Sequence, residues 1–277
     1  MNLLFRNNST PTLDTTQIKR KATLAINGPR LNRILTLAQY DYLKRYHGSN
    51  LGVFWALFKP VWQLLVYYFV FTKIFGARQE NFALMLFLGL ITWMCFSEAT
   101  SRSMSVLRSK SFLMKTIQIN WVDFHISNVI TAFVGYGIAL SIYFIGSLFF
   151  EVSYSLAIFY TPLIFINIFI ICLGVSLILS TLNIFFKDIE QIWSLILMFG
   201  MWTSGVFNRS EMFIEAFPPL QYINPFLSII SNIRNVLLYS TGFDWNQYWL
   251  SLTLGLIVLF IGLILFNKYS HLTVEKL

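Results

Sequence analysis

Six apolar segments divide this sequence, and most are close to the length of a helix that crosses a lipid bilayer. The hydrocarbon layer is roughly 30 Å thick, so a helix needs about 20 apolar residues to cross it. Inside that layer every backbone polar group needs an internal partner, which a helix provides. The sequence therefore predicts an all-α membrane protein with crossings at residues 51–71, 82–101, 124–150, 159–182, 192–207 and 248–266.

The composition and the distribution of charge agree with that prediction. Charged residues make up 12% of the chain, whereas a soluble domain carries about a quarter. A net charge of +8 could indicate nucleic-acid binding in a soluble protein. Here, if the N-terminus is cytoplasmic, the 20 lysines and arginines all lie inside except Lys73, Arg78, Arg209 and Arg234. Because lysine and arginine stay on the cytoplasmic side, we expect both termini inside, membrane lipids as neighbours and no nucleic-acid partner.

Two segments precede the first crossing. Residues 1–28 are polar and basic, which predicts a flexible cytoplasmic tail without a cleaved leader. A helix is predicted at residues 29–46, because apolar residues recur there at helical spacing: Leu31, Ile34, Leu35, Ala38 and Tyr42. Its basic residues suit a helix in the headgroup plane, facing anionic lipid. A helix packed on a cytoplasmic partner is the alternative.

Charged residues near membrane depth are informative because each costs about 2.5–3.5 kcal/mol at the bilayer centre on insertion scales. Lys59 stands beside Pro60 in the first crossing. It either extends to the cytoplasmic headgroups or faces a wet cavity, where it could contact a substrate. Glu98 and Arg102 stand four residues apart at the inner end of the second crossing and predict a structural ion pair.

The segment at residues 208–247 is predicted to contain two short helices. Pro218 and Pro219 end the first, and Asn224 with Pro225 caps and starts the second. The second helix has a polar face made of Ser228, Ser231, Asn232, Arg234 and Asn235. That face either borders a water-filled opening in a re-entrant pair or lies on an ordinary amphipathic surface helix.

The chemistry that the sequence lacks limits the function. It contains no glycine-rich phosphate loop, no metal-ligand spacing and no nucleophile motif. Cys95 and Cys172 fall inside predicted crossings and are interpreted as small buried residues, without a disulfide or a metal. If the chain moves a molecule uphill, the energy must therefore come from a partner.

Three motifs resemble one family. The stretch YLKRYHGSNLGVFWALFKP, from Tyr42 to Pro60, is similar to the start of the first crossing in type-2 ABC exporter permeases. These permeases include the membrane subunits of bacterial O-antigen, capsule and teichoic acid exporters. Asn183 to Ile189 resembles the family's basic-Asp signature, and Tyr222 to Phe226 with Arg234 resembles its outer Asn-Pro segment. Order, spacing and layout agree over residues 30–270.

The resemblance implies a homodimer in the bacterial inner membrane, joined to two copies of a cytoplasmic ATPase. Mg-ATP would bind that partner, so no cofactor is expected on this chain. The dimer would thread an undecaprenyl-diphosphate-linked polysaccharide from cytoplasm to periplasm within a single permease domain, residues 29–277. In this scheme residues 29–46 gate the cytoplasmic mouth, 103–123 form the coupling-helix region and 208–247 form the periplasmic gate.

The same resemblance implies three sets of site residues. The residues expected to bind the partner ATPase are Arg108, Lys110, Phe112, Leu113 and Lys115. Those expected in the periplasmic gate are Asn224, Pro225 and Arg234.

The third set would bind the substrate. A carrier pyrophosphate suits the cations near the inner mouth, which are Arg30, Arg33, Lys44, Arg45 and Lys59. Sugar CH faces stack on aromatic rings, for which the candidates are Phe54, Phe58, Trp62 and Trp202. An aromatic stripe at this spacing is also typical of plain packing or interfacial anchoring.

Three other functions are weighed against O-antigen export. A capsule or teichoic acid exporter of the same family would differ only in its glycan. A membrane enzyme acting on lipid-linked sugars would need acids or histidines converging at one membrane face, and these are sparse here. An ion-coupled carrier would show an inverted repeat and charges at mid-membrane, and neither is evident.

Overall fold

The structure, a computed structural model, describes residues 29–46, 52, 54–76, 79–110, 120–150 and 152–270. The tail predicted at residues 1–28 lies outside this part of the chain. Helices make up every element within it. They are α1 (Arg30–Tyr46), α2 (Phe54–Phe69), α3 (Phe82–Ser109), α4 (Val122–Phe149), α5 (Thr161–Phe185), α6 (Ile189–Thr203), α7 (Ser210–Ala216), α8 (Leu220–Ile223), α9 (Pro225–Arg234) and α10 (Trp245–Tyr269).

Five helices in the described ranges are long and apolar enough to cross a membrane: α2 with its π-helical extension Val70–Ile74, α3, α4, α5 with the preceding 3₁₀ turn Leu156–Tyr160, and α10. The sixth predicted crossing is not confirmed as a continuous helix. α6 has 15 residues and is therefore about 22 Å long, short of the hydrocarbon thickness. Residues 103–109, expected in a separate cytoplasmic segment, instead continue α3 to Ser109.

α3 forms the centre of the bundle, and most of its apolar part is buried. α4 runs antiparallel to it, and polar side chains join the two helices. Asn128 donates to the Ala99 carbonyl at 2.8 Å and to the Ser103 hydroxyl at 2.9 Å, and the Thr92 and Tyr136 hydroxyls lie 3.1 Å apart. These bonds satisfy polar groups that lipid could not.

α5 and α10 run parallel and in close contact. The Tyr160 ring lies 5.4 Å from Trp245 near their starts, and Phe185 lies 5.5 Å from Tyr269 near their ends. A Cβ atom at Gly262 would lie 2.6 Å from the Gly174 carbonyl oxygen. Glycine thus allows the backbone contact that packs helices in a membrane.

α2 and α6 lie at the edge of the bundle. Pro60 is the one buried residue of α2, and Leu197 is the one buried residue of α6. Both helices contact α3, for example through the Trp193 indole, which donates to the Thr100 hydroxyl at 3.1 Å. Most of their apolar surface is therefore uncovered in a single chain. We term the end of the bundle that carries α1 the inner end, and the end where α5 and α10 begin the outer end.

Candidate functional site

α1 packs on the protein's own helices. Ile34 and Ala38 are buried, and the Thr131 hydroxyl of α4 donates to the Ala38 carbonyl at 3.2 Å. Leu31 and Leu35 of the predicted apolar face remain exposed. The apolar contact of α1 is therefore narrower than its sequence pattern indicated.

Three of the ion pairs along α1 fix it to α4 and to the inner end of α3. They are Arg30–Asp123, Asp41–Lys110 and Arg45–Glu98, and together we term them the inner latch. The residues of each pair stand far apart in the sequence, so the latch is a tertiary feature.

Asp123 is the most enclosed member of the latch. Its side chain is fully buried in the first turn of α4 and accepts two hydrogen bonds from Arg30, at 2.9 and 2.7 Å. Arg33 approaches the other carboxylate oxygen at 4.0 Å. The hydrogen bonds with Asp123 raise the pKa of Arg30. A buried carboxylate without these cations would be costly, so Asp123 holds the start of α1 in place.

The other two pairs involve Asp41 and Glu98. Asp41 also accepts a hydrogen bond from the Ser127 hydroxyl at 3.2 Å. Glu98 contacts Arg102 at 3.4 Å as well as Arg45, which confirms the predicted Glu98–Arg102 pair.

The latch corrects the expectation that the basic residues of α1 face lipid headgroups. Arg30, Arg33 and Arg45 instead face carboxylates on α3 and α4, because those carboxylates are partly or fully buried and need a cation nearby. Lys44 is exposed. The five cations predicted to bind a pyrophosphate therefore do not converge on one point.

A groove of about 420 Å³ lies between α2, α3 and α4, and we term it the inner groove. Arg45, Lys59 and Glu98 supply its charges, and Trp55, Phe58, Trp62 and Tyr136 are among its aromatic walls. Lys59 forms no ion pair with any residue that the structure describes. The structure places Lys59 on the wall of this groove, and its contact with a substrate stays a prediction.

Phe54, Phe58 and Trp62 form an aromatic stripe on one face of α2. The Phe54 and Phe58 rings are stacked at 5.7 Å, and the Phe58 and Trp62 rings at 5.8 Å. Trp62 is 55% exposed. The stripe presents flat apolar faces beside the inner groove, and its role as a sugar track remains a prediction.

Trp202 lies apart from the stripe. Its ring is 4.4 Å from Phe207 and 6.5 Å from Phe71, in the π-helical extension of α2. Trp202, although it belongs to α6, therefore adds aromatic surface near the C-terminal end of α2.

At the outer end, Asn224 caps α9 as predicted. Its side-chain oxygen accepts the Phe226 N–H at 3.0 Å, and its amide donates to the Ser204 hydroxyl at 2.8 Å. Pro225 occupies the first turn. The cap thereby connects α9 to the turn that follows α6.

The polar face of α9 is largely enclosed in this chain. All residues from Phe226 to Arg234 are buried, because α3, α5 and α10 pack around this helix. Of the two alternatives drawn from the sequence, the ordinary amphipathic surface helix is therefore wrong. Ser231 and Arg234 line a cavity at the outer end, and the re-entrant pair beside a water-filled opening stays a prediction.

Arg234 explains how a polar face is accommodated there. The side chain is 2% exposed and donates to backbone carbonyls of Met85, Gly205, Asn208 and Val206 at 2.7–3.1 Å. A Cβ atom at Gly89 would lie 2.6 Å from the guanidinium, so only glycine leaves room for it. Arg234 therefore joins α3, α9 and residues 205–208.

The residues expected to bind a partner are described only in part. Arg108 is exposed near the end of α3, and Lys110 contacts Asp41 of α1. Phe112, Leu113 and Lys115 lie outside the described residues.

Sequence reasoning missed the acidic side of the latch. Asp41 and Asp123 received no role, although the chain has only 12 acidic residues. The available signal was Asp41, an acidic residue within a helix that is otherwise basic. Within the described ranges, no three side chains of the metal-ligating types lie together.

Known sequences match this chain over most of its length. The profile of ABC-2 type transporters matches residues 32–238. An O-antigen export system permease protein RfbA from Klebsiella pneumoniae is 29% identical over 264 residues, covering 94% of this chain and 99% of that protein. A second protein of that name and species is 28% identical over 247 residues, covering 88% and 94%. One of that name from Myxococcus xanthus is 22% identical over 205 residues, covering 73% and 79%.

The matched region begins in α1 and ends in the π-helical turn after α9. It therefore contains the inner groove, the aromatic stripe and Arg234. With three quarters of its length matched, the chain belongs to the ABC-2 type transporter family and is a membrane permease, not an enzyme.

Proposed function

We propose that this chain is the membrane subunit of an ATP-driven exporter of an O-antigen-like polysaccharide carried on undecaprenyl diphosphate. The relatives named O-antigen export system permease align over nearly their whole length, which supports the substrate class. The observation that carries the proposal is the aromatic stripe beside the cationic inner groove. The stripe offers a surface on which sugar rings can stack, and the groove offers positive charge for phosphate.

A sixth crossing, with both termini cytoplasmic, is part of the proposal. α5 and α10 run parallel, so the chain between Phe185 and Trp245 has to return across the bundle. α6 runs antiparallel to α3, since Trp193 bonds Thr100 and a Cβ atom at Gly200 would lie 2.7 Å from the Trp93 ring. α6 and the segments after it make this return, with the inner end cytoplasmic.

A second copy of the chain would enclose the transport path. α2 and α6 expose apolar faces of the kind that marks an interface or a lipid contact. If two copies meet along these helices, the two aromatic stripes face a shared space. Sugar rings then slide over aromatic faces, while Lys59 and Arg45 attract the diphosphate at the inner groove.

ATP hydrolysis on two partner subunits would reach the path through the inner latch. Lys110 belongs to the segment assigned to partner docking and contacts Asp41 of α1. A displacement of that segment pulls on α1 near the inner groove. The latch therefore gives a physical link between nucleotide state and access from the cytoplasm.

The proposal is tested by reconstitution with the ATPase in liposomes that contain the lipid-linked polysaccharide. We expect ATP-dependent transfer of glycan to the opposite side and co-purification of two ATPase copies per permease dimer. Glycan transfer by the permease alone, or no transfer with the ATPase bound and hydrolysing ATP, would contradict it.

A further inference from the structure

A second cavity lies at the outer end, between α7 and the π-helical turn Asn235–Tyr239. We term it the outer cleft, and its volume of about 490 Å³ is in the size range of small-ligand sites. It is lined by Arg209, Ser210, Glu211, Ser231, Arg234, Asn235, Tyr239 and Thr241. It is separate from the inner groove.

The floor of the outer cleft is held in place by hydrogen bonds. Arg234 is bonded to four backbone carbonyls, and the Ser210 hydroxyl donates to the Leu227 carbonyl at 3.0 Å. The shape of the cleft is therefore set before any ligand enters.

The walls present polar groups that have no hydrogen-bond partner among the residues that the structure describes. Within the described chain, the side chains of Glu211, Asn235 and Thr241 make no hydrogen bond or ion pair. The Arg209 guanidinium lies over the Tyr239 ring at 5.2 Å and has no carboxylate partner there. Donors and acceptors thus remain available to a ligand.

Ser231 adds a hydroxyl to the wall of the cleft. The residue as a whole is 6% exposed, and its hydroxyl makes no hydrogen bond with a described residue. The oxygen is not among the enclosed unsatisfied atoms, so it is open to the cleft. It can therefore bond a ligand there.

The side-chain types define the ligand chemistry. A guanidinium, a carboxylate, an amide and hydroxyls offer donors and acceptors together, which suits the vicinal hydroxyls of a sugar. The Tyr239 ring offers a face for sugar CH groups. A free phosphate would be repelled by Glu211 and would not use the ring. We propose that the outer cleft binds a sugar unit of the exported glycan as it leaves the path, which rests on the proposed function.

The test uses the permease–ATPase complex in nanodiscs and the polysaccharide released from the host's lipopolysaccharide by mild acid. Arg209→Ala and Glu211→Gln should each weaken binding of this soluble glycan about tenfold, because each removes a charged hydrogen-bond partner. Both residues are at least partly accessible, so the fold should persist. Glu215→Gln, an exposed carboxylate on the same helix and outside the cleft, should bind like the wild type.

Unchanged glycan affinity in both cleft variants, or no binding by the wild type, would overturn the proposal. Arg209-dependent binding of inorganic phosphate without binding of the glycan would also overturn it. ATP-driven export is measured separately in liposomes. If the wild type exports glycan and the cleft variants bind it as tightly as the wild type does, the outer-cleft proposal alone is rejected. If the wild type does not export glycan, the proposed function is rejected.

Discussion

Arg234 shows how a single side chain can organise the outer end of this protein. Its planar guanidinium points donors in several fixed directions, and four of its hydrogen bonds reach carbonyls on two separate parts of the chain. Lysine has only three donors around one nitrogen and cannot copy that pattern. The residue type, and not only its charge, is therefore required.

Arg234→Lys should destabilise the purified protein. Leaving buried carbonyls without donors costs roughly 1–3 kcal/mol, which should appear as a lower Tm in detergent. Arg209→Lys is the matched control, because Arg209 is exposed and, in the part of the chain that the structure describes, lies over the Tyr239 ring without donating to a buried carbonyl. Equal Tm values for the two variants would show that the buried network is not important for stability.

Lys59 is the residue whose charge most directly tests the inner groove. Lys59→Gln should lower export of the glycan about tenfold, since a charged hydrogen bond to phosphate is lost, while Lys59→Arg should retain most export. The readout is surface glycan in cells with matched permease levels. Lys73→Gln, an exposed lysine on the extension of α2, is the control. Full export by the Lys59→Gln variant would exclude an essential role for this charge.

At the scale of elements, α1 and α9 separate what the sequence could predict from what it could not. The start of α9 was predictable, because a cap and a first-turn proline are local signals. The burial of its polar face was not, since it depends on carbonyls contributed by residues 85 and 205–208. The spacing of residues within one helix contains no information about such distant partners.

α1 gives the same lesson. Its helical spacing was visible in the sequence, but Asp123 lies 93 residues from Arg30. The exposed edge helices were recognised as apolar, yet periodicity did not show that α6 stops at Thr203. Tertiary packing decided both outcomes.

The inner latch predicts a measurable change in the dynamics of α1. Asp123→Asn removes the charge that Arg30 and Arg33 approach, so amide hydrogen exchange in α1 should become faster. Asp188→Asn, an exposed acid between α5 and α6, should leave exchange in α1 unchanged. The same rate in both variants would mean that apolar contacts alone hold α1.

At the scale of the whole molecule, the parallel α5–α10 pair constrains how often the chain crosses the membrane. If α6 makes the return and the inner end is cytoplasmic, as we propose, Arg108 lies in the cytoplasm and Glu215 outside. Single cysteines replacing these exposed residues, in a chain with Cys95→Ala and Cys172→Ala, test the arrangement with a membrane-impermeant maleimide. Arg108→Cys should react only in inverted vesicles, and Glu215→Cys only in intact cells.

Labelling of both positions from one side would contradict six crossings. The two replaced native cysteines are buried in the bundle, so their removal leaves both labelling positions unaffected.

The central claim is that glycan passes along the aromatic stripe of α2. A photo-reactive benzoylphenylalanine placed at Trp62 should capture the glycan on illumination of exporting cells. Leu256, which is exposed on α10, is the matched position outside the proposed path. We expect a ladder of glycan-linked protein at Trp62 that vanishes when glycan synthesis is blocked. No ladder at Trp62, or equal capture at Leu256, would contradict the account.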